Sequence, residues 1–176
     1  MRVFLTGFSG SGKSTVGPKL ARLLKYTYID SDEEIERLAG LSIPEVFARK
    51  GERFFRQLEH KVIQHHARNK AADAVISLGG GAFISAHNRR IIETAGTTVY
   101  LRCELNELYR RLHGHKDRPL LFGHGSTKKA IMERMRQMLR VRRQFYEMAD
   151  ITVSTTTTTP IQTARKIRQN LRAYGQ

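Results

Sequence analysis

Gly7-Phe8-Ser9-Gly10-Ser11-Gly12-Lys13-Ser14-Thr15 is the stretch richest in chemistry. Its spacing fits G-x-x-x-x-G-K-[ST], the phosphate-binding loop. Gly7, Gly10 and Gly12 let the backbone turn sharply and bring N–H groups up to an anion. Lys13 places a cation beside the outer phosphates, and Ser14 offers a hydroxyl oxygen to Mg²⁺. A helix starting here adds its positive dipole end. An apolar run, Val3-Phe4-Leu5, precedes the loop and an amphipathic run follows it. That context points to bound nucleotide.

Other residues supply what a phosphoryl acceptor needs. Asp30 and Asp32 stand two apart at the end of a second apolar run. A phosphoryl-transfer site uses one acid toward the water shell of Mg²⁺ and another to receive the attacking hydroxyl. Gly79, Gly80 and Gly81 directly follow a third apolar run, where many phosphate-loop enzymes place an aspartate. Three glycines expose backbone N–H groups and leave room for a ligand. Arg56 and Glu59 share a helix face; Glu59 fixes the guanidinium and leaves its other edge for a carboxylate. Arg118, in a loop rich in glycine, histidine and charge, suits charge stabilisation on a closing flap. Arg110 and Arg111 suit stacking on a base. Arg142 and Arg143 end a long helix. His113, His115 and His124 share the loop and read as exposed side chains rather than a metal site.

The elements that position these residues alternate. Strands are expected at 3–5, 26–29, 74–78, 97–101 and 151–153. Helices are expected at 13–25, 33–39, from 42 to a stop at Gly51, at 52–66, 86–94, 104–112, 129–148 and 160–174. Pro18 should weaken the first helix locally. Ser31 or Asp32 is expected to cap the second. The pattern is α/β: a three-layer α/β/α arrangement on a five-stranded parallel sheet, a phosphate-loop kinase fold with a mobile lid at about 113–127. Ligands of such sheets gather at the carboxyl ends of the strands. The threonine run 155–159 belongs at that edge. The 176 residues suit one domain spanning 1–176.

Composition narrows the setting. At 40% hydrophobic the chain can bury a core. No apolar run approaches the roughly 18–20 residues of a membrane helix, and no signal-peptide core is present. The single Cys103 excludes an internal disulfide framework. A cytoplasmic setting is expected, with no membrane partner. Net charge is +15, most of it in the second half of the chain. No nucleic-acid motif accompanies that charge, so no nucleic-acid partner is expected.

The joint order of these residues resembles the shikimate kinase family, within the nucleoside-monophosphate-kinase-like group. The resemblance covers nearly the whole chain, from residue 2 to about 150. It rests on residues 7–15, Asp30-Ser31-Asp32, Gly51-Glu52 with Phe55-Arg56 and Glu59, and Gly79-Gly80-Gly81. Arg118-Pro119-Leu120-Leu121 and Arg142 four before Tyr146 complete it. It implies phosphoryl transfer from ATP to the 3-hydroxyl of shikimate, in aromatic amino-acid biosynthesis, with Mg²⁺ as cofactor. Lys13 and the loop residues Gly10, Ser11, Gly12, Ser14 and Thr15 would hold ATP, with Ser14 on Mg²⁺ and Asp30 on its water shell. Arg111 would lie by the adenine and Arg118 would be the lid arginine. Asp32 would receive the 3-hydroxyl. Arg56 and Arg142 would clamp the shikimate carboxylate beside the Gly80 and Gly81 amides, with Arg143 competing for the place of Arg142. A monomer is expected. Lys13, Asp32 and Arg118 are the expected catalytic residues. The threonine run departs from the family, which usually carries Arg, Asn or Gln near adenine there.

Overall fold

The computed structural model describes residues 1–69, 71–113 and 127–175. Strands β1 (Arg2–Thr6), β2 (Thr27–Asp30), β3 (Ala74–Ser77), β4 (Thr97–Arg102) and β5 (Ile151–Ser154) form one sheet in the order β2-β3-β1-β4-β5. All pairings are parallel. The connecting helices are α1 (Lys13–Leu24), α2 (Ser31–Ala39), α3 (Ile43–Arg68), α4 (Ala86–Ala95), α5 (Leu105–Leu112), α6 (Lys128–Tyr146) and α7 (Pro160–Tyr174).

Alternating residues of each strand build two cores. Val3, Leu5, Val75, Val99 and Leu101 face α1 and α7, meeting Val16, Leu20, Ile167 and Leu171. Phe4, Ile76 and Tyr100 face the opposite way and pack on the α3–α6 side with Ile63, Ile92, Leu108 and Met135. A third cluster, Ile35, Val46, Phe55 and Val62, joins α2 to α3. These strands are apolar on both faces because helices cover both.

Register explains where the site forms. Leu5 pairs with Ser77, and Asp30 pairs with the same Ser77. The ends of β1, β2 and β3 are therefore level, and the segments that follow them open side by side. Strand β1 is central, with β3 on one side and β4 on the other. The crevice above it is the switch point where such sheets bind ligands.

Helix boundaries fall close to those expected. Gly51 has φ 78° and ψ 171°, a non-helical break inside α3, so the stop expected there is present. Pro18 leaves α1 unbroken; it lacks only the N–H that would reach the carbonyl of Ser14. The cap of α2 is Asp30, not Ser31 or Asp32: its side chain accepts from the backbone N–H of Asp32. Strand pairing ends at Asp30 and the helix follows at once, two residues earlier than expected, so the cap moves with it. Helices α1 and α7 pack against each other. They carry Lys13, Lys19, Arg22, Arg165, Lys166, Arg168 and Arg172 and no acidic residue, so this layer holds much of the excess charge. Among the described residues no helix is long and apolar enough to cross a membrane.

Asp150 ties β4, β5 and α7 together. Its carboxylate accepts from the Thr98 N–H at 2.8 Å, the Thr98 hydroxyl at 2.7 Å and the Tyr174 hydroxyl at 2.8 Å. Partial burial pushes this carboxyl up, but the bonds from Thr98 and Tyr174 outweigh it and hold it below the usual 3.8. A depressed acid stabilises the fold above its unfolded value and loses that contribution as pH falls through the folded value. Asp150→Ala should therefore cost about 1–2 kcal/mol near neutrality. Urea denaturation should show the gap to wild type narrowing below about pH 3.8. A gap that stays constant there would refute the charge-dependent part.

Candidate active site

Three consecutive glycines after β3 each carry one wall of a cleft. A Cβ built on Gly79 would stand 2.5 Å from Asp32 Oδ1 and 3.4 Å from Glu59 Oε1. One on Gly81 would stand 2.8 Å from a terminal nitrogen of Arg56. One on Gly80 would lie 3.8 Å from the Gly7 carbonyl oxygen and the Ser9 nitrogen, and 3.9 Å from a terminal nitrogen of Arg142. The acid, both guanidiniums and the phosphate loop thus meet along one stretch of bare backbone. Any side chain at 79 or 81 would push Asp32 or Arg56 away.

Hydrogen bonds hold this stretch in place. The Gly79 N–H donates to Ser31 Oγ at 2.9 Å, a bond buried between the ends of β2 and β3. Ser31 is thus a fastener rather than a helix cap. Tyr146 donates to the Gly80 carbonyl at 2.5 Å. Burial pushes the Tyr146 phenol up to about 12, against the pull of Arg142, so it remains a proton donor at any physiological pH. Its ring stacks on Tyr100 with centroids 5.3 Å apart.

Asp30 and Asp32 divide their work. Asp30 accepts from the Asp32 N–H at 3.0 Å with one oxygen and from the Tyr28 hydroxyl at 3.1 Å with the other. Asp32, one residue into α2, projects over Gly79.

Arg56 is gripped on both edges. One terminal nitrogen donates to the two oxygens of Glu59 at 3.0 and 3.1 Å. The opposite edge donates to Glu52 at 3.2 and 3.3 Å. The expectation of an edge left for a ligand is corrected: Glu52, one turn earlier on the same helix, occupies it. The two acids differ in kind. The Glu59 side chain is 2% exposed and that of Glu52 is 68% exposed. Burial pushes the Glu59 carboxyl up, and the charge of Arg56 offsets this only in part. Glu52, in solvent, can turn away at little cost.

Arg142 and Arg143 separate cleanly. Arg142 lies over the Phe8 ring at 5.8 Å and beside Gly80. Arg143 is exposed and pairs with Glu147 at 2.6 Å. Only Arg142 faces the cleft.

The phosphate loop itself is strongly braced. Gly7, Gly10 and Gly12 have φ of 143°, 81° and 99°, a region that side chains disfavour. Lys13 Nζ donates to the Gly7 carbonyl at 2.8 Å and the Phe8 carbonyl at 3.2 Å. Ser14 and Thr15 are exposed at the start of α1, and the Thr15 hydroxyl donates to the Gly12 carbonyl. Arg111 donates to the Gly10 carbonyl at 3.4 Å, to the Thr155 carbonyl at 2.5 Å and to Glu107 at 2.7 Å. Arg110 and Arg111 together hold the Glu107 carboxyl down to about 2. The Thr155 hydroxyl donates to the Ser11 carbonyl at 3.0 Å. The threonine run is therefore structural at its first position. Further along, Thr156 accepts from the Glu104 N–H, and Thr159 with Gln162 forms the capping box of α7.

Sequence reasoning missed the bracing roles of Thr155, Glu107, Tyr146 and Ser31. Of these only Glu107, at helix spacing from Arg110 and Arg111, carried a local signal; the Thr159–Gln162 box carried one too. Arg118, with the rest of 114–126, lies outside the described residues. So do His115 and His124. Among the described residues no group of three or more His, Cys, Asp or Glu could hold a metal ion.

Comparison with known proteins agrees with this architecture. The sequence model of the shikimate kinase family matches residues 9–172. A shikimate kinase of Prosthecochloris aestuarii is 41% identical over 177 residues, covering 97% of this chain and 89% of the relative. One of Chlorobium luteolum is 43% identical over 156 residues, covering 87% and 76%. The solved shikimate kinase of Acinetobacter baumannii in complex with shikimate superposes with a TM-score of 0.88 at 35% identity, covering 98% of this chain and 93% of that one. That of Aquifex aeolicus gives 0.84 at 34% identity, covering 99% and 98%.

The brace at Thr155 is open to test. Thr155→Val keeps the shape and removes the hydroxyl that holds Ser11. Titration with a fluorescent ATP analogue should show about tenfold weaker binding, the worth of about one buried hydrogen bond. Thr157→Val, at an exposed position, should leave affinity unchanged. Equal affinities in the two variants would remove Thr155 from the brace.

Proposed function

The chain belongs to the shikimate kinase family, and we propose that its cleft moves the terminal phosphoryl group of ATP to the 3-hydroxyl of shikimate, giving shikimate 3-phosphate and ADP. The observation that carries this reading is the bare backbone at 79–81, which seats Asp32, Arg56 and Arg142 beside the phosphate loop.

The donor half is the loop. The amides of Gly10, Ser11, Gly12, Ser14 and Thr15 wrap the phosphates at the positive end of α1. Lys13 exchanges its contacts with the Gly7 and Phe8 carbonyls for phosphate oxygens. Arg111, immobilised at its edges, offers a flat face to the adenine. Arg118 is the lid arginine of this reading. For Mg²⁺ the available donors are hard oxygens: the exposed Ser14 hydroxyl and, toward a water shell, the Asp30 and Asp32 carboxylates. That set suits the ion. When bound, it neutralises charge on the phosphates.

The acceptor half is a small cage. Arg142 and Arg56 take the carboxylate of shikimate, with the Gly80 and Gly81 amides beside it. Glu52 yields its edge of Arg56 to the incoming carboxylate, while buried Glu59 keeps the guanidinium aimed. Asp32 accepts a hydrogen bond from the 3-hydroxyl and orients its oxygen toward the terminal phosphorus. As that oxygen bonds to phosphorus, the bond to the leaving ADP oxygen breaks and the hydroxyl proton passes to Asp32. Position and charge do the work in such transfers.

An ADP-release assay over a panel of hydroxy acids, gluconate included, should show turnover with shikimate. Lys13→Ala and Asp32→Ala should abolish it; robust turnover in Asp32→Ala would sink that assignment. Arg142→Ala should raise KM for shikimate about 10- to 100-fold, as expected for charged hydrogen bonds of about 1.5–3 kcal/mol. Arg143→Ala should stay within about twofold, because exposed pairs contribute little. Glu52→Gln should lower KM for shikimate by up to about fivefold, since an exposed competitor is worth at most about 1 kcal/mol. A raised KM in Glu52→Gln would mean that Glu52 orients Arg56 rather than competing for it.

A further inference from the structure

A second cavity of about 300 Å³ opens behind the carboxylate clamp, lined by Arg56, Glu59, His60, Ser85, His87 and Asn88. Two imidazoles face each other in it. His60 on α3 and His87 in the first turn of α4 bring their Nε2 atoms to 3.2 Å, with ring centroids 4.3 Å apart. The proposed reaction uses neither.

The tautomers follow from Asn88. This side chain is buried, and its amide nitrogen donates to the Ala82 carbonyl at 3.1 Å. Its oxygen must therefore face His60 Nδ1, 2.9 Å away. Nδ1 carries the proton, and His60 Nε2 is left with its lone pair toward His87. An imidazole whose far N–H is fixed by a carbonyl and whose near nitrogen presents a lone pair is prepared as a metal ligand. The spacing also fits. With bonds of about 2.0–2.1 Å, nitrogens 3.2 Å apart subtend about 100° at a common ion, close to tetrahedral. Full convergence of both rings needs centroids about 4.9 Å apart at those bond lengths, so exposed His87 must swing outward by about half an ångström.

We propose that His60 and His87 form a two-imidazole site for a borderline transition-metal dication of the Zn²⁺, Ni²⁺ or Cu²⁺ class, with water completing the coordination. Neutral nitrogen donors select these ions over Mg²⁺ and Ca²⁺. The two helices hold the ligands from opposite sides, and the Asn88 carbonyl oxygen fixes the His60 ring at Nδ1.

Calorimetric titration of Zn²⁺ into tag-free protein should reveal a saturable site. It should disappear in His60→Gln and equally in His87→Gln, and persist in the His65→Gln/His66→Gln double variant. Circular dichroism melting curves of the variants should match wild type, because neither residue is buried. Independently of any variant, Cu²⁺ bound at one equivalent should show two coordinated imidazole nitrogens in its electron paramagnetic resonance spectrum. Isotherms unchanged in either single variant, no saturable heat in wild type, or a single coordinated nitrogen would each overturn the proposal.

Discussion

The structure depends on the absence of side chains at two positions of one glycine run, Gly79 and Gly81. Gly79, Gly80 and Gly81 let a carboxylate, two guanidiniums and the phosphate loop pack onto one strand of backbone. Real Cβ atoms do not approach other atoms as closely as 2.5 or 2.8 Å. A single methyl at 79 or 81 would therefore displace Asp32 or Arg56 rather than merely crowd it. The backbone is kept from relaxing into the space by Ser31 at one end and Tyr146 in the middle. Both fasteners are buried, so losing either leaves an unpaired polar group as well as a loosened loop.

The sheet makes this possible by levelling its strand ends. Because Leu5, Ser77 and Asp30 share one register row, the phosphate loop, the glycine run and the Asp32 helix leave the sheet at the same height. The other side of β1 is secured by β4 and β5. Thr155, just past β5, holds the Ser11 carbonyl, and Arg111 on α5 holds that of Gly10. Glu107 keeps Arg111 in place with a carboxylate that stays ionised far into acid. The loop is thus pre-shaped before any phosphate arrives, which lowers the ordering cost of binding.

Elements with a local or periodic signature were legible in the sequence. The five strands, the break at Gly51 and the glycine-lysine loop fall where pattern places them. What could not be read was mostly long-range pairing. Tyr146 meets Gly80 across 66 positions, Thr155 meets Ser11 across 144, and Ser31 meets Gly79 across 48. Nothing in the spacing of a threonine run distinguishes a buried brace from a solvated turn. The shift of the α2 cap to Asp30 was missed for a different reason: three polar residues in a row all suit an N-cap, and the end of the sheet pairing decides among them. Glu52 on the far edge of Arg56 was local and readable, at helix spacing from the arginine. Glu59, three residues after Arg56, satisfies the same spacing argument and masks it.

Charge in the acceptor half follows from these placements. Asp32 and Glu59 lie near each other over Gly79, and the charge of Asp32 opposes ionisation of Glu59. Arg56 relieves that opposition directly, and Arg142 stands one glycine away. An acceptor that arrived without its own charge would leave Arg56 tied to Glu52. In the proposed reaction an incoming carboxylate replaces the exposed partner of Arg56 while the buried one stays. That asymmetry between a 68% and a 2% exposed acid favours acids over neutral polyols, because only a charged acceptor can take over from Glu52 at no loss of ion pairing.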